Sequence, residues 1–214
     1  MTGTKAVFLE NWARAHGHAF VRFDYSGHGE SIGAFEDGCI GDWANDAGAV
    51  LTQLTQGPQV LVGSSMGGWI ALLLARNHPE RVAGLLGIAA APDFTEDSMW
   101  PQLTDSQRAQ VLQTGRISLP NSYDDTPYIL TRRLFADGRD QLVLRSPLSL
   151  PFPVRLVQGD QDEAVATDVP LRLMAHATCP DLRLTLVKGA DHRFSTPECL
   201  DLIGRELSDL LAAG

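Results

Sequence analysis

The chain has 214 residues, an ordinary globular composition and a formal net charge of −9. A chain of this length can bury most of its apolar surface in one core, so we expect one soluble domain. The acidic balance argues against nucleic acid and anionic membranes as partners, because both attract basic surfaces. Since no run of about 18 apolar residues is present, we expect no stable membrane anchor. No pattern indicates an oligomeric state.

The cysteines and the first residues indicate a cellular compartment. Cys39, Cys179 and Cys199 are odd in number and lack the spacing of metal ligands. The N-terminal residues lack the basic and then apolar pattern of a signal peptide. We therefore expect reduced thiols in a cytoplasmic protein that carries no metal.

Helical and strand-like segments alternate along the chain, which predicts a mostly parallel sheet flanked by helices. In the first part we expect helices over residues 3–16, 39–55 and 67–77, and strands over residues 19–24, 59–62 and 82–90. The pattern resumes near the end, with strands over residues 154–158 and 183–187 and helices over residues 168–177 and 197–211.

Residues 92–150 interrupt this alternation and are more polar. They are predicted to hold helices near 104–114 and 127–137. An insertion between strands, above the carboxyl edge of a parallel sheet, is where a lid over an active site belongs. The sequence thus predicts a core formed by residues 1–91 and 151–214, and a small helical lid formed by residues 92–150.

A Gly-x-Ser-x-Gly motif lies between the predicted strand 59–62 and the predicted helix 67–77. This context is typical of a nucleophile elbow, in which a strand turns sharply into a helix and exposes one serine. Glycine is needed at Gly63 and Gly67 because the turn is tight, and the nucleophile itself takes strained backbone angles. Ser65 has a glycine two residues away on each side, so it is the candidate nucleophile and Ser64 is a spacer.

A serine nucleophile needs a base, and the base needs an acid that orients it. His192 follows the predicted strand 183–187 and is the candidate base. Asp162 follows the predicted strand 154–158 and is the candidate acid, with Asp160 as the alternative. Asp160 lies nearer the strand end and suits a backbone hydrogen bond in the turn. Carboxyl ends of parallel strands share one edge of a sheet, so the three side chains can meet there.

The negative oxygen that forms during such a reaction needs N–H donors that are already in place. One donor is expected to be the backbone N–H of Met66, at the start of the following helix, where the helix dipole also favours negative charge. A second donor comes from the loop after an earlier strand in enzymes with this motif.

These motifs together resemble the α/β-hydrolase superfamily. The resemblance rests on Gly63–Gly68, Gly159–Asp162 and Gly189–His192. Two further segments, Phe23–Ser31 and Asp124–Ile129, are similar to the branch that contains the mitochondrial palmitoyl-protein thioesterase and acyl-glucuronide esterase of animals and its bacterial relatives. The resemblance implies hydrolysis of carboxylic esters or thioesters through an acyl-enzyme, without a cofactor.

One departure from the family concerns the sheet. Relatives carry a strand before the first helix of this chain, between the strands that correspond to residues 19–24 and 59–62, and its loop supplies the second oxyanion donor. Without it, we expect a gap of about 5 Å, one strand wide, with unpaired backbone on both sides. Our hypothesis is that Met1 is an internal methionine of a longer chain, so that the fold is N-terminally truncated. The alternative is a rearranged sheet with an incomplete oxyanion hole.

The predicted lid has apolar side chains and, over residues 132–145, four arginines. The apolar side chains suit an acyl pocket or the packing of the lid itself: Met99, Trp100, Leu103, Ile117, Tyr123, Tyr128, Ile129, Leu134 and Phe135. The arginines suit an anionic leaving group or a solvated helix face: Arg132, Arg133, Arg139 and Arg145.

The leading interpretation is a serine hydrolase of small-molecule acyl esters or thioesters. The same triad also serves hydrolases of C–C bonds or amides. A non-catalytic fragment or binding protein is the third possibility, because the strand beside the oxyanion hole is missing.

Overall fold

The computed structural model describes residues 2–120 and 127–212, in which eight strands are found. They are β1 (Gln59–Ser64), β2 (Val82–Ile88), β3 (Arg116–Leu119), β4 (Tyr128–Thr131), β5 (Leu148–Ser149), β6 (Val154–Gly159), β7 (Ala177–Thr178) and β8 (Leu182–Val187). Four of them form the central parallel sheet, in the order β1-β2-β6-β8. The predicted parallel sheet is confirmed.

Eight α-helices are found in the described residues. They are α1 (Thr4–Ala15), α2 (Ile40–Leu54), α3 (Met66–Asn77), α4 (Trp100–Gln102), α5 (Asp105–Thr114), α6 (Arg132–Asp140), α7 (Asp168–His176) and α8 (Pro197–Ala212). Short 3₁₀ turns cover Phe35–Asp37 and Pro79–Arg81, and a π-helical turn covers Thr95–Met99. Helices α2 and α3 pack on one face of the sheet and α1 and α8 on the other, so each face has its own apolar layer.

Strand β2 lies at the centre of both layers. Six of its seven residues are buried, and α3 and α8 contact it from opposite faces. An almost continuous apolar run is what a strand buried on both faces requires. The prediction of a strand over residues 82–90 is therefore confirmed, although the strand ends at Ile88.

The prediction of a strand over residues 19–24 is wrong. These residues form no ladder, and among the described residues β1 is hydrogen-bonded to β2 alone. A cavity of about 560 Å³, lined by both segments and by α2 and α3, separates them. Apolar side chains around it stay exposed, namely Val21 at 44% and Leu54 at 67%. A strand needs a neighbour to bond, and no strand among the described residues pairs with this segment.

The insertion also differs from its prediction. Residues 128–131 form a strand, β4, that pairs antiparallel with β3, and only then does helix α6 begin. The hydroxyl of Thr131 accepts a hydrogen bond from Leu134 N (3.1 Å) and so caps the helix. The β-branched and aromatic side chains before Thr131 favour a strand over the expected helix near 127–137. Residues 124–126 of the resembling segment, and Tyr123, lie outside the described residues.

Candidate active site

The candidate nucleophile lies at a strained turn between β1 and α3. Ser65 has φ +54° and ψ −122°, outside the regions that a non-glycine residue normally occupies. Three backbone hydrogen bonds hold the turn: Ser65 N donates to Ile88 O, Ala91 N donates to Ser65 O, and Gly68 N donates to Ser65 O. The serine therefore stands at the carboxyl end of its strand with its side chain directed away from the sheet hydrogen bonds.

Close backbone packing explains the glycine before the serine. A Cβ atom at Gly63 would lie 2.2 Å from the carbonyl oxygen of Gly67 and 2.7 Å from the Cα of Gly68. Backbone atoms cannot move aside as flexible side chains do, so this position accepts glycine only. A Cβ at Gly67 would have its nearest neighbour at 3.7 Å, the hydroxyl of Tyr25. The steric demand that the sequence suggests for both glycines therefore holds for Gly63 and is weak at Gly67.

Two further loops reach the serine from neighbouring strands. His192 follows β8, and its imidazole Nε2 lies 3.0 Å from Ser65 Oγ. Asp162 follows β6, and its Oδ2 lies 2.8 Å from His192 Nδ1. The side chain of Asp162 is fully buried and that of His192 is 20% exposed. All three sequence-predicted residues thus meet at one edge of the sheet.

The chemistry of the carboxylate decides how the imidazole is protonated. An ionised carboxylate can only accept hydrogen bonds, so His192 Nδ1 carries the proton that faces Asp162. The lone pair of Nε2 then faces Ser65 Oγ, which donates its hydroxyl proton to it. In this arrangement the histidine can remove the serine proton as the oxygen attacks an electrophile.

Close backbone packing holds the loop of Asp162 against the loop of His192. A Cβ atom at Gly159 would lie 2.1 Å from the carbonyl oxygen of Ala190, which shows how closely the two loops approach. Gln161 N donates to Ala190 O (3.0 Å) and Asp160 N donates to Val187 O (3.1 Å). These bonds set the distance between Asp162 and His192.

Comparison with known proteins agrees with this architecture. The sequence profile of the α/β hydrolase fold matches residues 4–119, more than half of the chain. The rat protein named palmitoyl-protein thioesterase ABHD10, mitochondrial, is 35% identical over 212 residues, which cover 99% of this chain and 71% of the relative. The chain belongs to the α/β-hydrolase fold family.

Solved structures of two relatives superimpose on this α/β-hydrolase along nearly its whole length. Mouse alpha/beta hydrolase domain-containing protein 10 has a TM-score of 0.90 and 33% identity, covering 99% of this chain and 85% of its own. A crystal structure of a protein from Agrobacterium vitis S4 has a TM-score of 0.93 and 40% identity, covering 98% of this chain and 83% of its own. The resemblance inferred from the motifs is confirmed.

The other acidic residues of the two loops have different partners in this hydrolase. Asp160 Oδ1 accepts a hydrogen bond from Gly189 N (2.5 Å), and Asp191 Oδ1 accepts one from Phe194 N (3.1 Å). The bond of Asp160 ties the loop after β6 to the loop after β8, whereas the bond of Asp191 stabilises its own turn. Of the two candidates that the sequence leaves for the acid, it is Asp162 that contacts His192.

Met66 is the first residue of α3 and directly follows Ser65. The first N–H groups of a helix have no partner within the helix, and the dipole places partial positive charge there. An oxyanion that forms beside Ser65 Oγ would meet this end of α3. Residues 23–25 border the cavity, on the side of β1 away from β2. Among the described contacts, no N–H group of this segment is identified as a second donor to the oxyanion.

Two residues near the triad escaped the sequence analysis. Gln158, the only buried polar side chain of β6 besides Arg155, donates a hydrogen bond from Nε2 to Asp162 Oδ2 (2.8 Å). Lys5 of α1 donates from Nζ to the carbonyl oxygen of Arg193, next to the candidate base. Burial lowers the pKa of Lys5. A polar residue within an otherwise apolar strand is the signal that could have revealed Gln158.

The apolar side chains of the insertion mostly pack inside the hydrolase. Four belong to the buried core: Leu103, Ile117, Leu134 and Phe135. Three others are partly buried against it: Met99, Trp100 and Tyr128. Packing of the insertion itself therefore accounts for most of the residues that the sequence suggested as an acyl pocket.

Three of the four arginines within residues 132–145 form ion pairs within the chain. The pairs are Arg133 with Asp42 (2.8 Å), Arg139 with Glu96 (2.6 Å), and Arg145 with Asp93 (3.1 Å) and Asp97. The guanidinium of Arg139 also lies 4.9 Å from the ring centre of Trp100. These contacts give the arginines a structural use and weaken the case for an anionic leaving group bound by them.

The described residues hold neither a cluster of metal-binding side chains nor a helix that could span a membrane. Within residues 2–120 and 127–212, no group of three His, Cys, Asp or Glu side chains is placed to hold a metal ion. Over the same residues, no helix has the length and apolar character needed to cross a bilayer. Cys39, Cys179 and Cys199 are all free thiols.

Proposed function

We propose that this chain is a serine hydrolase that cleaves carboxylic esters or thioesters through an acyl-enzyme. The observation that carries the proposal is the pair of hydrogen bonds that joins Ser65 Oγ to His192 and His192 to the buried Asp162. A lone serine hydroxyl is a weak nucleophile at neutral pH, whereas a serine aligned with a base and an acid is activated.

In the proposed reaction, Ser65 Oγ attacks the acyl carbonyl while His192 Nε2 takes its proton. Asp162 holds the imidazole in the required tautomer and stabilises the imidazolium that forms. The N–H of Met66 donates to the oxyanion. His192 then gives the proton to the departing alcohol or thiol, and a water activated by the same histidine releases the acid. All groups come from the chain, so the reaction needs no cofactor.

The substrate class follows from the chemistry and from the relatives. Esters and thioesters both pass through a tetrahedral oxyanion with a leaving group that needs one proton. The rat relative carries the name of a palmitoyl-protein thioesterase, which supports an acyl ester or thioester as the substrate here. A net charge of −9 makes nucleic acid a poor partner.

We also propose that residues 92–150 are a lid over the core formed by residues 1–91 and 151–214. The insertion contacts the helix that begins at the nucleophile, because Trp69 Nε1 donates to Gln141 O (3.1 Å). It contacts α2 as well, where Gly41 N donates to Asp137 Oδ2 (2.7 Å). A cytoplasmic location remains part of the proposal, on the basis of the free thiols alone; the rat relative is mitochondrial by name.

A fluorophosphonate probe followed by intact-mass analysis tests the proposal. The probe forms a covalent bond only with an activated serine, so we expect a single adduct on the unaltered chain and none on Ser65→Ala. Ser64→Ala is the matched control, since it removes the neighbouring hydroxyl and leaves the hydrogen bonds of Ser65 in place. It should form the adduct at the unaltered rate. A folded chain without an adduct would contradict the proposal.

A folded chain without an adduct would favour a non-catalytic fragment or binding protein. Two features argue for that alternative: the cavity beside β1 and the unassigned second oxyanion donor. If the adduct forms, hydrolysis rates on matched ester, thioester, amide and C–C substrates decide among the reactions that one triad can serve. We expect the ester and thioester to be cleaved fastest, because their leaving groups depart more easily than an amine or a carbanion.

A further inference from the structure

Gln158 is a polar side chain in the centre of the fold. It belongs to β6, whose residues are all buried, and it has no exposed surface itself. Its Nε2 donates to Asp162 Oδ2 (2.8 Å) and to the carbonyl oxygen of Val165 (3.0 Å). A buried amide is retained in such a place only when its hydrogen bonds compensate for the lost water.

The orientation of this amide is determined by its neighbours. Both close partners, the carboxylate of Asp162 and the carbonyl of Val165, are acceptors. Only the NH₂ end of the side chain can face them, because an oxygen there would meet two other oxygens. Its own Oε1 is buried and accepts no hydrogen bond from the described residues. The amide thus satisfies its neighbours while one of its own atoms stays unsatisfied.

Four N–H donors converge on the carboxylate of Asp162. Oδ1 accepts from the backbone N–H of Ala164 (2.9 Å) and of Val165 (2.8 Å). Oδ2 accepts from His192 Nδ1 (2.8 Å) and from Gln158 Nε2. Gln158 is therefore the one contact from the sheet to the oxygen that holds the histidine. The other donors come from the loop of Asp162 itself or from the base.

We propose that Gln158 is a positioning residue, which holds Asp162 Oδ2 in line with His192 Nδ1. The inference rests on the proposed function of the triad. Rotation about the Cβ–Cγ bond moves both carboxylate oxygens together, so the loop donors resist it at Oδ1 and a donor at Oδ2 resists it from the other side. The amide of Gln158 stops that rotation because it is anchored to the rigid strand and to Val165 O. It acts on the reaction through Asp162 and touches no reacting atom.

Two substitutions separate positioning from packing. Gln158→Met keeps the length of the side chain, removes the donor and removes the unsatisfied Oε1. We expect kcat to fall about 10-fold or more and KM to stay within about 2-fold. A loss of this size is typical when a hydrogen bond that orients a functional side chain is removed. Gln158→Glu places a second carboxylate against Asp162 and should lower kcat further.

The control is Gln161→Met, which makes the same chemical change at an exposed position of the loop after β6 and keeps the backbone N–H that bonds Ala190 O. It should leave kcat unaltered. A packing role for Gln158 predicts losses that follow stability, so the unfolding midpoint of each variant is measured as well. Unaltered kcat in Gln158→Met, or equal kcat in Gln158→Met and Gln158→Glu at equal stability, would overturn the proposal.

A spectroscopic measurement keeps the test independent of turnover. The proton shared by His192 Nδ1 and Asp162 gives a downfield NMR resonance that is absent from Asp162→Asn. We expect it to broaden or move upfield in Gln158→Met and to persist in Gln161→Met. An unchanged resonance in Gln158→Met would refute the positioning role even if kcat falls. A chain that forms no phosphonate adduct would refute the proposed function, and the resonance would still report on Gln158.

Discussion

The substitution Asp162→Asn tests the geometry of the site most directly. The carboxylate of Asp162 accepts four hydrogen bonds, two at each oxygen. An asparagine has one acceptor oxygen and one NH₂ group. The backbone donors Ala164 N and Val165 N hold the oxygen on their side, so the NH₂ group must face His192 and Gln158.

The consequence is the wrong tautomer of the histidine. Since Asn at position 162 would present a donor to His192, Nδ1 must become the acceptor and the ring proton moves to Nε2. That proton then points at Ser65 Oγ, which can no longer transfer its own. The same change in a serine triad of this kind lowers kcat about 10⁴-fold. At about 1.4 kcal/mol for each factor of ten, the loss is about 5–6 kcal/mol of transition-state stabilisation.

The assay is the steady-state hydrolysis of a p-nitrophenyl acyl ester, with circular dichroism to verify the fold. Asp160→Asn is the matched control, because it makes the same change two residues away, where Oδ1 caps Gly189 N. We expect kcat of Asp160→Asn to fall by less than about 10-fold, the scale of one hydrogen bond to a backbone N–H. A loss below 10-fold in folded Asp162→Asn, or a greater loss in Asp160→Asn, would refute the assignment of the acid.

Two further predictions concern the stability of the insertion. A Cβ at Gly138 would lie 2.3 Å from Thr95 Oγ1, a buried hydroxyl without a partner among the described residues. Gly138→Ala should destabilise the chain by about 1–3 kcal/mol, and Thr95→Ala in the same chain should recover most of this in urea titrations; strictly additive effects would disprove the contact. Burial raises the pKa of Asp97, but ion pairs with Arg145 and Arg172 outweigh it and hold the pKa below 3.8. The stability that these ion pairs provide is present above pH 3.8 and is lost as the pH falls below it. Asp97→Asn should therefore flatten the fall in unfolding free energy between about pH 4 and pH 2. An unaltered slope of unfolding free energy against pH would contradict this.

The elements that the sequence predicts well share one physical origin. Strands β1 and β6 are short, mostly apolar runs that lead into glycine-containing loops, β2 is an almost continuous apolar run, and helix α3 begins at the motif. Local patterns of this kind report burial and turn geometry directly. The three loop positions of the triad follow, because parallel strands direct their carboxyl ends to one edge of the sheet. Asp160 accepts from a backbone N–H as the sequence suggested, but that N–H belongs to Gly189 in the loop after β8 and not to its own turn.

What the sequence does not predict depends on partners distant in the chain. Residues 19–24 have the composition of a strand, yet pairing requires a neighbour, and composition does not report one. Strand β4 forms because β3 lies beside it, 12 residues earlier, in register from Arg116 with Thr131. Gln158 is a nearer case: the sequence marks it only as a polar residue in a mostly apolar strand, and its role becomes visible once the folded loop places Asp162 and Val165 beside it.

The hydrogen bonds of the nucleophile show which part of the fold the site depends on. Strand β1 pairs with β2 at all six of its residues, and Ser65 is bonded to Ile88 and Ala91 on that same side. The acid and base loops leave β6 and β8, which follow β2 in the sheet. The alignment of serine, histidine and aspartate is therefore built wholly on the side of β1 that faces away from the cavity. In the proposed reaction, a second oxyanion donor would have to come from the other side of β1, so we expect the cavity to affect stabilisation of the oxyanion rather than assembly of the triad.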